Sequence, residues 1–356
     1  MRRYLPLALI GLAAAGCGIK EPPVAPERRV PAAVSGLSAT VEGAAVVLTW
    51  TNPSRRADGS RLPDLTTLRV YRREQPRQGK PKPAVLSRGK VVGYDEVAAI
   101  RLSAPAPAEV EGSRVRWSDR TTLTVGRRYV YTVRAVDKIG RSSHPSDRVA
   151  IIFLAAPEPP ESLAVIPGER EARLSWKPPR TLVDGTAVAG RLVYQVLRTP
   201  IAWAAPTPIT PDPIETTSFR DRGLQNGQTY YYGVRAIRIE PAGEARSELS
   251  EVVAATPVDL TPPAAPTNLV AIPSAKAVRL LWNRSPEADV AGYFVYRAGR
   301  PGGAYARLNP RPIQTTRFVD RSVEPGESYA YVVTAVDRAK RANESARSNE
   351  ATVSVP

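Results

Sequence analysis

Residues able to do covalent or metal chemistry are scarce in this chain of 356 amino acids, which has one cysteine and one histidine. A single cysteine excludes a disulfide framework and any multi-cysteine zinc site, and a single histidine excludes every multi-histidine metal centre. His144 stands alone in the loop Ser142 to Ser146. No G-x-S-x-G elbow, G-K-[ST] phosphate loop or H-E-x-x-H zinc pair occurs, so nucleophile, phosphate-cradle and metal-hydrolase chemistry lack their usual residues. Carboxylates at Asp119, Asp221 and Asp320 recur at equivalent places in a repeated pattern. That repetition is a structural reason for them, so the chain is expected not to be an enzyme and to need no metal or soluble cofactor.

The one thiol, Cys17, sits where a different reaction is expected. Arg2 and Arg3 form a positive start, Tyr4 to Ala15 an apolar run, and small residues lead to Cys17. Twelve apolar residues reach roughly 18 Å as a helix, short of the ~30 Å hydrocarbon layer, so the run reads as a targeting segment rather than a permanent span. Ala14-Ala15-Gly16-Cys17 resembles the bacterial lipoprotein box, although Ala14 stands where leucine is usual and Ala13-Ala14-Ala15 also suits an ordinary signal peptidase. The resemblance implies cleavage after residue 16, with a diacylglycerol and an acyl chain (palmitate) carried by Cys17. It further implies export and membrane anchoring in the cell envelope, at the outer membrane in a Gram-negative cell, because Gly18 rather than aspartate follows. Residues 17–34 contain Pro22, Pro23, Pro26 and Pro31 among charges and read as a proline-rich, semi-rigid tether.

Beyond residue 34 no long segment has the 3.6-residue apolar period, and short alternating runs separated by Pro, Gly, Asn and Asp point to an all-β body. The runs repeat three times. Trp50, Trp176 and Trp282 each end an apolar strand, and Leu68–Arg72, Tyr194–Arg198 and Tyr293–Arg297 follow. Then come Trp117-Ser118-Asp119-Arg120, Phe219-Arg220-Asp221-Arg222 and Phe318-Val319-Asp320-Arg321. Gly126, Gly227 and Gly326 introduce the pattern G-x-x-Y-x-Y-x-V-x-A, starting its strands at Tyr129, Tyr230 and Tyr329. Period two places the two tyrosines, valine and alanine of each copy on one strand face toward a core, with the intervening residues expected to face out.

These motifs resemble the fibronectin type III family, a β-sandwich of immunoglobulin-like architecture. The resemblance implies core roles for Trp50, Trp176 and Trp282, and tyrosine corners at Tyr129, Tyr230 and Tyr329, whose hydroxyls hydrogen-bond a turn. Arg238 departs from the aspartate found at the matching Asp137 and Asp337. Proline-dense junctions, Ala155 to Pro160 and Pro257 to Pro266, suggest a tandem array after the signal segment 1–16 and tether 17–34: first module 35–156, second 157–256, third 257–356. Proline cannot donate to a β-ladder, so these junctions also protect strand edges.

Differences between the copies are where function is expected. From Trp50 to Tyr129 is 79 residues, against 54 and 47 in the later copies. The excess is a basic insertion, 75–112, carrying Arg77, Lys80, Lys82, Arg88 and Lys90 and then an apolar stretch, Val97 to Leu102. It reads as an edge hairpin or rim loop, either a binding element or a solvated loop. Residues 18–156 have 24 Lys+Arg and 13 Asp+Glu, net +11, within a total of +16. That field suits anionic lipid or a cell-wall polymer near the anchor, or simple solubility. Asp58-Gly59 and Asp184-Gly185 read as backbone turns rather than calcium ligands. Trp203, on the proline- and threonine-rich stretch Pro200 to Pro213, has two readings: a stacking platform for a sugar or partner, or, preferred here, a ring packed on its own sandwich.

The expectation is therefore a non-catalytic, lipid-anchored envelope protein whose modules contact an unidentified protein or glycan, with the membrane engaged through Cys17. The alternative is a glycan-binding accessory to a secreted polysaccharide-active enzyme. Nucleic acid is disfavoured, since interleaved exposed aromatics are missing and the chain is expected to be exported.

Overall fold

The computed structural model describes residues 29–356. Every regular element among them is a strand. In the first module these are β1 (Ser35–Glu42), β2 (Ala45–Thr51), β3 (Leu65–Gln75), β4 (Leu86–Ser87), β5 (Lys90–Val91), β6 (Asp95–Arg101), β7 (Glu109–Glu111), β8 (Arg114–Asp119), β9 (Arg128–Asp137) and β10 (Val149–Ile152). The second has β11 (Glu161–Gly168), β12 (Glu171–Lys177), β13 (Arg191–Thr199), β14 (Thr207–Pro208), β15 (Ser218–Arg222), β16 (Tyr230–Glu240), β17 (Gly243–Arg246) and β18 (Val253–Ala255). The third has β19 (Thr267–Ser274), β20 (Ala277–Asn283), β21 (Val290–Ala298), β22 (Ala306–Arg307), β23 (Arg317–Asp320), β24 (Ser328–Asp337) and β25 (Ala351–Ser354). The chain divides after Leu154 into two compact units, the later of which holds the second and third modules.

One plan recurs. In the third module β19-β20-β23 forms one sheet and β22-β21-β24-β25 the other; in the second, β11-β12-β15 faces β14-β13-β16, with β17 and β18 both on β16. The first module uses β10-β9-β3-β6 and the run β1-β2-β8-β7. The two long central pairs, β13 with β16 and β21 with β24, are antiparallel, as in Tyr194↔Ala236 and Tyr293↔Ala335. Alternate residues of the two inner faces meet between the sheets, as expected of an aligned sandwich. In the third module the core contains Leu280, Trp282, Val295, Tyr331 and Val333; in the second, Leu174, Trp176, Val196, Tyr232 and Val234.

One sequence expectation needs correction here. The intervening residues of the last repeated strand do not all face solvent. Val130, Thr132 and Arg134 of β9, and Val332, Thr334 and Val336 of β24, are buried. These strands lie in mid-sheet, and the loops that follow fold over their outer faces: Thr132 Oγ1 donates to Ser146 O, and Thr334 Oγ1 to Glu344 Oε1. Residues 29–34 of the stretch read as a tether are among those described. Ala57 N donates to Val30 O at 2.9 Å and Ala32 N to Arg55 O at 3.1 Å, which docks this stretch on the first module.

Candidate functional site

Three times the fold brings together an arginine, an aspartate and two tyrosines. The arginine ends the β3, β13 or β21 repeat motif, the aspartate lies at or near the end of β8, β15 or β23, and the tyrosines are two apart on β9, β16 or β24. Arg72, Arg198 and Arg297 reach Asp119, Asp221 and Asp320 at 2.8, 2.7 and 2.9 Å. Into the same carboxylate oxygens Tyr131, Tyr232 and Tyr331 donate their hydroxyls at 2.9, 2.8 and 3.0 Å. Each guanidinium also lies over the ring of the preceding tyrosine, Tyr129, Tyr230 or Tyr329, 5.4, 5.3 and 5.0 Å from its centroid. The hydroxyls of those three rings accept from the backbone N–H of Thr124, Gln225 and Glu324 at 2.9, 3.2 and 3.1 Å, tying each strand to the turn before it.

Burial first, and then the adjoining carboxylate, push the hydroxyls of Tyr131, Tyr232 and Tyr331 far above their ordinary range. Burial pushes the Asp320 carboxyl up, but hydrogen bonds from Ser322, Tyr331 and Arg297 outweigh it and hold the group below 3.8. A neutral phenol donating to an ion-paired carboxylate is a satisfied network, not a poised acid and base. The repeated aspartates are thus committed to holding the modules together.

The tryptophans of the repeat lie in the cores: Trp50, Trp176 and Trp282 are buried. Trp176 and Trp282 meet Tyr194 and Tyr293 edge to face at 5.4 and 5.6 Å. Cys17 and the signal segment 1–16 lie outside the described residues, as does the tether as far as residue 28.

The insertion 75–112 is fastened to the first module at both sheets. Its β6 lengthens one sheet by pairing with β3 from Thr67↔Arg101 to Arg72↔Asp95, and β7 pairs with β8. Ahead of them in the chain β4 and β5 form a hairpin whose two-residue turn, Arg88 and Gly89, has φ of 48° and 77°. Positive φ at both positions marks a type I′ turn, which matches the strand twist. A small satellite core forms from Tyr71, Val91, Tyr94 and Val130. Arginines of the module body then grip insertion carbonyls: Arg128 those of Arg77 and Gly79, Arg134 that of Gly89 at 2.9 Å, and Arg148 that of Pro81 at 2.8 Å. Arg77, Lys80, Lys82, Arg88 and Lys90 are exposed, and none pairs with a carboxylate among the described residues.

Asp58 and Asp184 act as turn residues. Each Oδ1 accepts from the N–H and hydroxyl two residues on, Ser60 at 2.9 and 2.6 Å and Thr186 at 3.1 and 2.6 Å.

Trp203 corrects the preferred reading. It does not pack on its sandwich: it is 91% exposed, at the tip of the loop joining β13 to β14, beside Ile201 at 43%. The turn closed by Ala204 N to Ile201 O at 3.2 Å holds the ring outward.

One charged cluster escaped the sequence reading. Asp64 and Asp137 flank the paired start of β3 and end of β9, and Arg56 binds both, with Arg141 adding a contact of 2.7 Å to Asp137. In the third module the matching Asp289 and Asp337 are bridged by no arginine among the described residues, and Asp259 joins them, one oxygen of each lying within 4.8 Å of the others. Asn343 donates to Asp337 at 2.8 Å in place of a cation. In the second module Arg238 itself occupies the position and reaches Ala155 O at 3.0 Å and Glu240, which accounts for its departure from the repeat. The D-x-x-x-R spacing of Asp137 and Arg141 recurs at Asp337 and Arg341, so it does not by itself signal the ion pair.

Sheet order and these threefold contacts define the class: an all-β protein of three tandem fibronectin type III-like sandwiches. No family model matches the chain. Exoglucanase B of Cellulomonas fimi is 28% identical over 250 residues, covering 66% of this chain and 21% of that protein. An amylopullulanase of Thermoanaerobacterium thermosulfurigenes is 39% identical over 93 residues, covering 26% of this chain and 5% of that protein. The chain thus spans about a fifth or less of the length of these relatives. Among solved structures, chicken CNTN1 FN1-FN3 domains are 17% identical, with 92% of this chain and 99% of that one covered and a TM-score of 0.29. An Fn3-like protein from Clostridium thermocellum is 33% identical over 27% of this chain and 96% of its own, with a TM-score of 0.24.

Proposed function

We propose that the chain is a non-catalytic, lipid-anchored protein of the bacterial envelope, held to the membrane through Cys17, whose sandwiches hold a glycan or protein partner. The observation that carries the contact role is Trp203, 91% exposed on a hairpin tip. An indole is a flat apolar plane with one N–H donor, suited to stack on a sugar ring or to seat in a partner's pocket. The commitment of Asp119, Asp221 and Asp320 to arginine and tyrosine supports a role without turnover. The five exposed cations of the insertion support attraction of the first module to anionic headgroups or wall polymers, at ~1 kcal/mol per basic residue near a charged surface.

A second reading, an accessory that binds glucan for a secreted enzyme, is favoured by one observation: two relatives bear the names exoglucanase and amylopullulanase. Crosslinking in the native envelope with wild type and Trp203→Ala tests the contact role; an unchanged set of partners overturns it. Mass spectrometry of the mature amino terminus tests the anchor, and an unmodified Cys17 overturns that. Product release from glucans by the purified chain would overturn the non-catalytic assignment.

A further inference from the structure

At one end of the third module, where β20 stops and β21 and β23 begin, a cavity of about 570 Å³ is lined by Arg284, Arg317 and Arg338 together with Gln314, Thr315 and Thr316. Its volume falls in the range of small-molecule sites. The floor is rigid. Tyr293 and Ile313 exchange backbone hydrogen bonds at 2.8 and 3.0 Å, and Trp282 N donates to Thr316 O at 3.2 Å. Gly292 permits this closeness, because a Cβ there would lie 2.7 Å from Ile313 O. Tyr293 turns its ring inward against Trp282, and its hydroxyl accepts from Ser285 N at 3.1 Å. The cavity therefore offers no aromatic plane. Its walls offer guanidinium donors and neutral hydroxyl and amide groups.

The three arginines are exposed, and none is paired with a carboxylate among the described residues. Asp289 and Asp337 adjoin the lining residues Val290 and Arg338 in sequence, yet they converge on each other and on Asp259, and none of the three lines the cavity. Three like charges around one concavity repel, and an oxyanion placed among them relieves that repulsion while accepting bidentate hydrogen bonds. Gln314 and Thr316 can both donate and accept, as sugar hydroxyls require, while Thr315, whose hydroxyl donates to Arg317 O at 3.0 Å, can still accept. We propose that this cavity binds an anionic saccharide, the arginines taking its oxyanions and Gln314, Thr315 and Thr316 its hydroxyls. The proposal rests on reading the chain as a contact protein and adds a ligand class distinct from what Trp203 would stack on.

The test uses the full chain with polygalacturonate, dextran sulfate and neutral dextran, in affinity electrophoresis at several salt concentrations. One variant combines Arg284→Gln, Arg317→Gln and Arg338→Gln. A second removes the same charge elsewhere on the module, at Arg300→Gln, Arg311→Gln and Arg321→Gln. Retardation by an acidic polymer, weakened roughly tenfold or more in the first variant and little in the second, is expected, since three partly exposed charge contacts add to about that factor. Preference for polygalacturonate would assign carboxylates, and preference for dextran sulfate would assign sulfate esters. Equal weakening in both variants, or no retardation beyond that by neutral dextran, overturns the proposal. Unchanged partner crosslinking through Trp203 alongside that result would leave the contact role standing, so the two failures are distinguishable.

Discussion

Tyr131 donates its hydroxyl to Asp119 at 2.9 Å, into the same carboxylate oxygen that Arg72 grips at 2.8 Å. The other oxygen accepts from the N–H and hydroxyl of Thr121, at 3.1 and 2.6 Å. Every lone-pair direction of a buried charge is thereby used. Removing the acceptor and removing one donor should then have unequal costs. Asp119→Ala strands Arg72 and Tyr131 together and is expected to cost about 3–5 kcal/mol, toward the lower end because Arg72 retains 20% side-chain exposure. Tyr131→Phe removes a single hydrogen bond to a charged group, about 1.5–3 kcal/mol. Calorimetry of the full chain should show the transition of the first module lowered more by the former.

Alkaline pH should act through the same residues. The hydroxyls of Tyr131, Tyr232 and Tyr331 are raised above their ordinary 10.0, by burial and then by the adjoining aspartate. A raised pKa in the folded state means stability that is complete below about pH 10 and lost as pH climbs past it. Spectrophotometric titration is expected to find these phenols ionising only together with unfolding. At the acid end, Asp320 is held below 3.8 because hydrogen bonds outweigh burial. Asp137 is lowered likewise, by Arg56 and Arg141 against the effect of burial. Their contribution is present above pH 3.8 and is lost as pH falls through the lowered values.

The period-two pattern made the sandwich legible because Tyr129, Tyr131, Val133 and Ala135 must share a face whatever else the strand meets. The outer face of that strand was not legible in the same way. Whether Val130 and Arg134 meet water depends on the insertion and on the loop after β9, which return from elsewhere in the chain. Val97 to Leu102 announced the strand β6 by its apolar run, but its partner β3 is set by tertiary pairing. Trp203 was ambiguous for a related reason: proline and threonine neighbours say that a ring sits on a loop, not which way the loop turns. The carboxylate cluster of the third module joins positions 259, 289 and 337, distances in sequence that no local spacing could connect.

Gly292 tests how closely β21 must approach the strand-free segment opposite. With an added Cβ 2.7 Å from Ile313 O and 2.9 Å from Pro312 Cβ, the backbone has to move. Gly292→Ala is expected to cost about 1–3 kcal/mol by overpacking. Gly299→Ala, where nothing lies within 4 Å, serves as the control and should leave the melting transition nearly unchanged.

The insertion should loosen when its grips are cut. Arg134 is 6% exposed and spends its hydrogen bonds on Gly89 O and Ser143 O. Arg134→Met keeps the apolar stem but forfeits charge-assisted bonds of about 1.5–3 kcal/mol. Hydrogen exchange should speed up across Leu86 to Val92 by roughly ten- to a hundredfold, as that free energy requires, while the strands of the second and third modules exchange as before.

Electrostatic attraction of the first module to a membrane surface should follow salt. Arg77, Lys80, Lys82, Arg88 and Lys90 are exposed, so their field reaches outward over a Debye length of roughly 10 Å at 0.1 M salt and much less at 1 M. Binding of the full chain to vesicles rich in anionic lipid is expected to fall steeply over that range. Replacing the five by glutamine should flatten the salt dependence. Arg128, Arg134 and Arg148 are different, because their donors are engaged with insertion carbonyls; altering them should loosen the insertion and change vesicle binding only through that. A salt curve unaltered by the fivefold substitution would mean that the charge of the insertion serves solubility alone.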